Sequence, residues 1–421
     1  MLKPAQDNDE IITRVAALDI GKAEVMCCVR VPDPDCPGRR VQEVRPCSTM
    51  TRSILLLADR LTKLGVTRVV MESTADYWKP VFYLLEAAGL DTWLVNAKDV
   101  KHLPGRPKTD RLDAVWLCKI AERQMIRPSF VPPPPIRQLR DLTRYRRDLV
   151  EARTAEKQRV EKLLEDACLK LSVVASDLFG VSGRAMMAAL VEGQRDPAAL
   201  AGMARASMRR KLPQLEEALT GYFTDHHAFL LRTMLARVDA ITADIERVEA
   251  RVEELVVPFA QAVDRLDEIT GIGRAAAHVI IAEIGTDMTR FPTPGHLCSW
   301  ARFAPGVCES AGRKKPAGTG HGNPYLARVL GEAAVAASHT HTFLGERYRR
   351  IARRSGAKKA IVAVGRSMLV IIWHLLSDPD ARFHDLGPEF YPRHTNTQRK
   401  VRNHVSQLTA LGYRVTLEPA A

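Results

Sequence analysis

The chain has 421 residues, 46% of them hydrophobic and 26% charged, which is enough for two or three packed domains in a folded, soluble protein. Lysine and arginine number 62 against 49 aspartate and glutamate, a net charge of +13 that favours a polyanionic partner, nucleic acid ahead of a membrane surface. Eight cysteines without a Cys-x-x-Cys pair argue against a zinc ribbon or a disulfide framework. With no signal peptide, and with the late apolar stretch 361–376 interrupted by Arg366 and too short to span, they point to a cytoplasmic protein with reduced thiols.

Residues 14–131 alternate between strand and helix patterns. Strands are expected over 14–19 and 24–31, turned at Gly21-Lys22, and over 41–45, followed by a helix over 51–64. A strand over 67–72, a helix over 77–88 stopped by Gly89, a strand over 91–95 and a helix over 110–123 come next, with a basic loop over 103–109 before the last helix. This alternation implies a mixed sheet with flanking helices, whose functional residues collect at strand ends. Asp19 ends the apolar run 15–18 and Glu72 ends the run 69–71, so each emerges at the tip of a buried strand. Asp110 and Asp113, three apart, share a helix face, where two carboxylates repel unless a cation sits between them. Four such acids form a hard-oxygen site suited to Mg2+ or Mn2+.

Pro132 to Pro135 favour a stiff extended segment and mark a domain boundary. Beyond it 136–171 reads as helix, and a second long helix carries Leu231, Met234, Val238, Ile241, Ile245, Val248, Val252 and Leu255 as a heptad seam. The seam serves either a hairpin within the chain or self-association, the second being preferred. Residues 198–220 are basic and less patterned. From Leu266, helix, Gly271-Ile272-Gly273, then helix has the form of a helix-hairpin-helix unit whose turn can hold a phosphate; the alternative is a helix corner in a core. The glycine-rich basic run 303–326, with Ser310, Arg313, Lys314, Lys315 and His321, lacks the Lys-Ser/Thr ending of a nucleotide-binding P-loop and otherwise reads as a flexible loop. A buried helix over 357–376 and a polar, aromatic tail after Asp378 complete the chain. The domains expected are 1–131, 132–260, 261–377 and a tail over 378–421.

Leu-Asp-Ile-Gly-Lys around Asp19, Met-Glu-Ser-Thr around Glu72, Lys-Thr-Asp-Arg-Leu-Asp-Ala around Asp110 and Asp113, the Gly-Ile-Gly hairpin and the run from Ala-Pro-Gly to Gly-Asn-Pro-Tyr-Leu together resemble the DEDD-type insertion-sequence transposases, the bridge-RNA-guided recombinases. The resemblance implies an α/β RuvC-like (RNase H-like) N-terminal domain, a helical coiled-coil region and a mainly α C-terminal transposase domain with a helix-hairpin-helix. It makes Asp19, Glu72, Asp110 and Asp113 the metal-binding tetrad and Ser310 the nucleophile. Many members have Ser followed directly by Gly where this chain has Ser310-Ala311-Gly312, which keeps Ser299 as a second candidate. The partners implied are DNA (element ends and target), a noncoding guide RNA and further copies of the chain, with the acids and the serine combining between protomers at the nucleoid. Lys101, Arg106, Lys108 and Arg111 are the basic residues placed to hold backbone phosphates. Two other readings stand beside this one: a RuvC-like junction nuclease using water, which needs the four acids and not Ser310, and a non-catalytic nucleic-acid-binding protein, against which the intact acids count.

Overall fold

β1 (Val15–Ile20) is buried on both faces, and this decides the architecture around it. The computed structural model describes residues 11–418 apart from 37, 73–74, 98–108, 307, 311, 316–317 and 394–396. β1 lies in the middle of a five-stranded sheet of order β3-β2-β1-β4-β5, with β2 (Glu24–Pro32), β3 (Arg40–Ser48), β4 (Arg68–Glu72) and β5 (Asp91–Val95). β2 runs antiparallel to β1 and β3, while β1, β4 and β5 run parallel. Successive side chains on a strand point to opposite faces. Ala16, Leu18 and Ile20 therefore pack with Val69 and Met71 beneath α1 (Thr51–Lys63) and α2 (Trp78–Ala87). Val15 and Ala17 pack with Val70 and Val95 beneath α3 (Asp110–Glu122), through Ala114, Leu117 and Cys118. The result is a mixed α/β sandwich of three layers. β3 is longer than the expected 41–45 because all nine of its residues pair with β2, including Arg40 and the run Pro46-Cys47-Ser48, which carry no strand signal in the hydropathy pattern. The seven described cysteines other than Cys308 are free, and burial pushes the Cys27 thiol up to about 12.

The chain separates into two compact units, 1–131 and 132–421, and the second is mostly helical. α4 (Pro134–Asp166) begins within the proline run: Pro133 is its N-cap, and Pro134 and Pro135 occupy its first turn. Half of the expected extended segment is thus helix, because a proline at the first helical position lacks only an amide that would be unpaired there and already has helical φ. Residues between the two long helices fold into short helices, the longest being α5 (Val181–Val191), whose Met186, Met187 and Leu190 join Leu163 and Leu164 in a core. α6 (Asp225–Val256) returns along α4, with Arg146 of α4 paired to Glu249 of α6. Leu231, Val238, Ile245 and Val252 of the seam are no more than 4% exposed, whereas Met234, Ile241, Val248 and Leu255 are half-buried. The first row is covered within this chain.

The longer helices before the tail are α7 (Ala260–Asp267), α8 (Arg274–Ile284), α9 (Pro294–Trp300), α10 (Pro324–Ser338), α11 (Phe343–Ser355) and α12 (Ala357–Ser377), and the tail itself carries helices over Phe390–Arg393 and Thr397–Ala410. At 21 residues α12 is long and apolar enough to cross a bilayer by length and composition, which corrects the expectation of a stretch too short to span. Its apolar stripe, Ala360, Val364, Met368, Leu369, Ile372 and Leu375, is instead buried against neighbouring helices, as in a core helix. Gly365 leaves room there for the Phe303 ring, which a Cβ would meet at 2.5 Å.

Candidate active site

Strand alternation aims two acids at one layer. Asp19 follows Val15 and Ala17 on the α3 face of β1, and Glu72 follows Val70 on the same face of β4. The parallel register pairs Leu18 with Met71, so the two acids end adjacent strands one step further on. Asp19 is half-buried and Glu72 is 9% exposed.

The third element arrives head-on. The amide of Ile12, just before β1, donates to the carbonyl of Glu122 at the end of α3 (3.0 Å), and the Cys118 thiol donates to the carbonyl of Val15 (3.6 Å). α3 therefore runs opposite to β1, and its N-terminus lies at the strand end that carries Asp19. From Cys118 back to Asp110 is about 12 Å of helix, and from Val15 to Asp19 is about 13 Å of strand, so the backbone of Asp110 stands level with Asp19. Asp113 is half-buried one turn before Leu117, on the stripe that faces the sheet. Thr109, which sequence reasoning did not single out, is the N-cap of α3: its side chain accepts from the amide of Leu112 (3.4 Å), and its carbonyl accepts from that of Asp113 (2.7 Å). The far end is clamped by Glu122, which pairs with Arg30 (2.7 Å) and Arg40 (3.0 Å).

The donors fit a hard divalent cation in chemistry: Asp19, Glu72 and Asp113 supply carboxylate oxygen, while the nearest thiols, Cys28 and Cys118, sit toward the other end of α3. Among the described residues no three His, Cys, Asp or Glu side chains come together closely enough to hold a metal ion, and the side chain of Asp110 is outside that description. Lys101, Arg106 and Lys108 lie outside the described residues; Arg111 is exposed on the first turn of α3.

The serine run is built differently. Ser310 ends β6 (Cys308–Ser310), which pairs with β7 (Arg313–Lys315) in a tight hairpin where Ser310 faces Arg313 in register. Glycine at 312 has φ 74°, a conformation that suits it at the turn. Ser299 is exposed on α9 and His321 is exposed beyond the hairpin. What holds this run in place is Asn323. Its Oδ1 accepts from the amides of Tyr325 and Leu326 (3.0 and 3.1 Å) to cap α10, and its Nδ2 donates to Glu283 (2.6 Å). Glu283 of α8 is fully buried and receives a bidentate pair from Arg144 (2.8 Å to each oxygen), with Arg140 at 3.4 Å. Burial opposes the charge on Arg144, but the bonds to Glu283 outweigh it and hold its pKa above the usual value. Arg144 also lies over the Tyr325 ring at 4.3 Å. Sequence reading missed Glu283 and its arginines, whose only signal is a carboxylate in the otherwise apolar face of α8.

The Gly271 turn joins α7 to α8. Gly271 has φ 92° and is pressed against α10, where a Cβ would meet the Ala333 carbonyl at 2.3 Å, so packing alone demands glycine there. Gly273 is exposed at the N-cap of α8.

Residues 16–169 match the DEDD transposase model of the IS110 group, described as "Transposase", and residues 263–349 match the model described as "Transposase IS116/IS110/IS902 family". The chain belongs to the IS110-type DEDD transposases. It is similar to a "Probable family 20 transposase" of Pseudomonas aeruginosa, 27% identical over 328 residues, which are 76% of this chain and 86% of that one. The enzyme is thus a DNA transposase of an insertion sequence. The first match takes in Asp19, Glu72, Asp110 and Asp113 of the transposase, and the second takes in Gly271, Glu283, Ser310 and Asn323.

Proposed function

We propose that this transposase cuts and rejoins DNA through the Ser310 hydroxyl, at a site where Asp19, Glu72, Asp110 and Asp113 hold Mg2+ or Mn2+. The observation that carries the reading is the convergence of Asp19, Glu72 and the N-terminus of α3 on one face and one end of the sheet. A divalent ion held there supplies charge neutralisation for the phosphate and acidifies a bound hydroxyl. Ser310 forms a P–O bond as the bond to a deoxyribose oxygen breaks; the serine proton is lost to solvent and the leaving oxygen gains one. The phosphoserine linkage conserves the bond energy, so reversal with another strand's hydroxyl rejoins DNA without ATP. Arg313, Lys314 and Lys315 offset phosphate charge beside the serine. The acids of one protomer serve the serine of another, and the half-buried row Met234, Ile241, Val248 and Leu255 supports self-association as a coiled coil.

Lys101, Arg106, Lys108 and Arg111 hold backbone phosphates of a noncoding guide RNA, and the α7–Gly271–α8 corner acts as a helix-hairpin-helix with Gly273 at a phosphate. Specific, nuclease-protected RNA should co-purify from cells carrying the element's flanks; recovery of random cellular RNA alone makes this a DNA-only recombinase.

Denaturing gels of a trapped reaction test the central claim. A protein–DNA adduct is expected that is lost in Ser310→Ala, retained in Ser299→Ala, and absent in chelator or in Asp19→Asn. Nicking without any adduct in the wild type means that water is the nucleophile, and full activity in chelator removes the metal from the reading.

A further inference from the structure

The surface around Gly356 concentrates positive charge that the fold does not offset. Residues 343–359 hold seven cations, Arg347, Arg349, Arg350, Arg353, Arg354, Lys358 and Lys359, against one acid, Glu346. Two are committed internally: Arg349 pairs with Glu346 and donates to the Ser338 and Thr340 carbonyls, and Arg347 donates to the Tyr391 hydroxyl (2.9 Å). Arg350 is steadied on the Tyr391 ring at 4.2 Å. Arg353, Arg354, Lys358 and Lys359 are exposed and have no ion pair or hydrogen-bond partner among the described residues. Several exposed arginines elsewhere in the same unit are matched, as Arg251 is with Glu254 (2.5 Å) and Arg274 with Glu253 (3.3 Å).

Geometry gathers these cations. Arg350, Arg353 and Arg354 share one face of α11, opposite the side that buries Leu344. Gly356, at φ 86°, ends α11 and caps α12 directly, so Lys358 and Lys359 on the first turn of α12 stand next to the last turn of α11. Two lysines at the positive end of a helix dipole, with no acid in that turn and no side-chain cap, weaken the helix that carries them. Fold stability does not account for them; an anionic partner does.

We propose that this surface, Arg350, Arg353 and Arg354 with Lys358 and Lys359, binds the phosphate backbone of duplex DNA. DNA is the transposase's substrate, and its two strands present phosphates closely enough for several cations on adjoining helix turns to engage together. The Tyr391 ring is already stacked on Phe343 at 5.3 Å and covered by Arg350, so it offers no platform for unpaired bases. Cations alone, without amide side chains beside them, position a duplex and read no sequence. The inference rests on DNA as the partner and on neither the serine nor the metal.

The test is anisotropy of a short labelled duplex with the full-length protein over a salt series. R353Q/R354Q/K358Q/K359Q should lose at least about tenfold in affinity near physiological salt, and its slope of log K against log salt should shrink by about 0.9 for each phosphate contact removed. R353K/R354K/K358R/K359R, which keeps the charge, should bind as the wild type does. So should R159Q/R232Q/R247Q/R251Q, which removes as many charges from paired arginines. The single variant R354Q, with a smaller drop in slope, guards against a folding defect in the quadruple one. An unchanged slope, an equal loss in the paired-arginine variant, or an equal loss on an RNA duplex overturns the proposal. The adduct assay on Asp19→Asn and Ser310→Ala is read separately, so either conclusion can fail alone.

Discussion

At the scale of residues, the positions that matter most are those that hold the proposed site residues in place. Thr109 fastens the first turn of α3, where Asp110 and Asp113 sit. Thr109→Ala should lower unfolding free energy by about 1 kcal/mol. Because the loss falls on the turn that carries two acids, the metal concentration needed for half-maximal cleavage should rise as well; an unchanged metal titration separates the cap from the site. Glu283 is more demanding. Removing it leaves Arg144 and Arg140 facing a buried void and Asn323 Nδ2 without its acceptor, so Glu283→Ala should cost about 3–5 kcal/mol in denaturant unfolding of the second unit. His278, 5% exposed on α8, has its pKa lowered chiefly by burial; Glu253 at 3.8 Å works against this, and Arg274 and Arg146 add to it. A folded pKa below the unfolded value of about 6.5 means that the neutral ring contributes stability above that pH and loses it as pH falls further. His278→Gln should flatten melting temperature between neutral and mildly acid pH, where the wild type declines.

At the scale of elements, glycines 271 and 273 separate packing from binding. Gly271→Ala should destabilise by about 2–4 kcal/mol, combining a left-handed conformation with overpacking on α10. Gly273→Ala, at φ −100° with its nearest contact the Asp267 carboxylate at 4.0 Å, should leave thermal stability unchanged, so any loss of nucleic-acid retention it causes reports on phosphate contact. The same contrast shows what was legible beforehand. β1, β4 and α1 follow from hydrophobic period, and the tip positions of Asp19 and Glu72 follow from where their apolar runs stop. Prolines 134 and 135 misled because the geometry that breaks a helix interior also begins one. Glu283 was invisible because its arginines lie 139 and 143 residues away in sequence, and no local pattern records such a pairing.

At the scale of the molecule, the long pair α4 and α6 separates two cores within the second unit. One, around Met186 and Met187, gathers the end of α4 and the start of α6; the other end of α4, through Arg140 and Arg144, is fastened to α8. Thirty-two residues of α6 span about 48 Å. Inserting one heptad into each helix should carry the outer core about 10 Å further with only about 20° of rotation. Calorimetry should then show the wild-type melting profile while small-angle scattering shows a longer particle; loss of the outer core's transition contradicts this description. Measured against B-DNA at about 3.4 Å per base pair, the strut is about fourteen base pairs long. Its length can be changed one heptad at a time without redesigning what is fixed at either end.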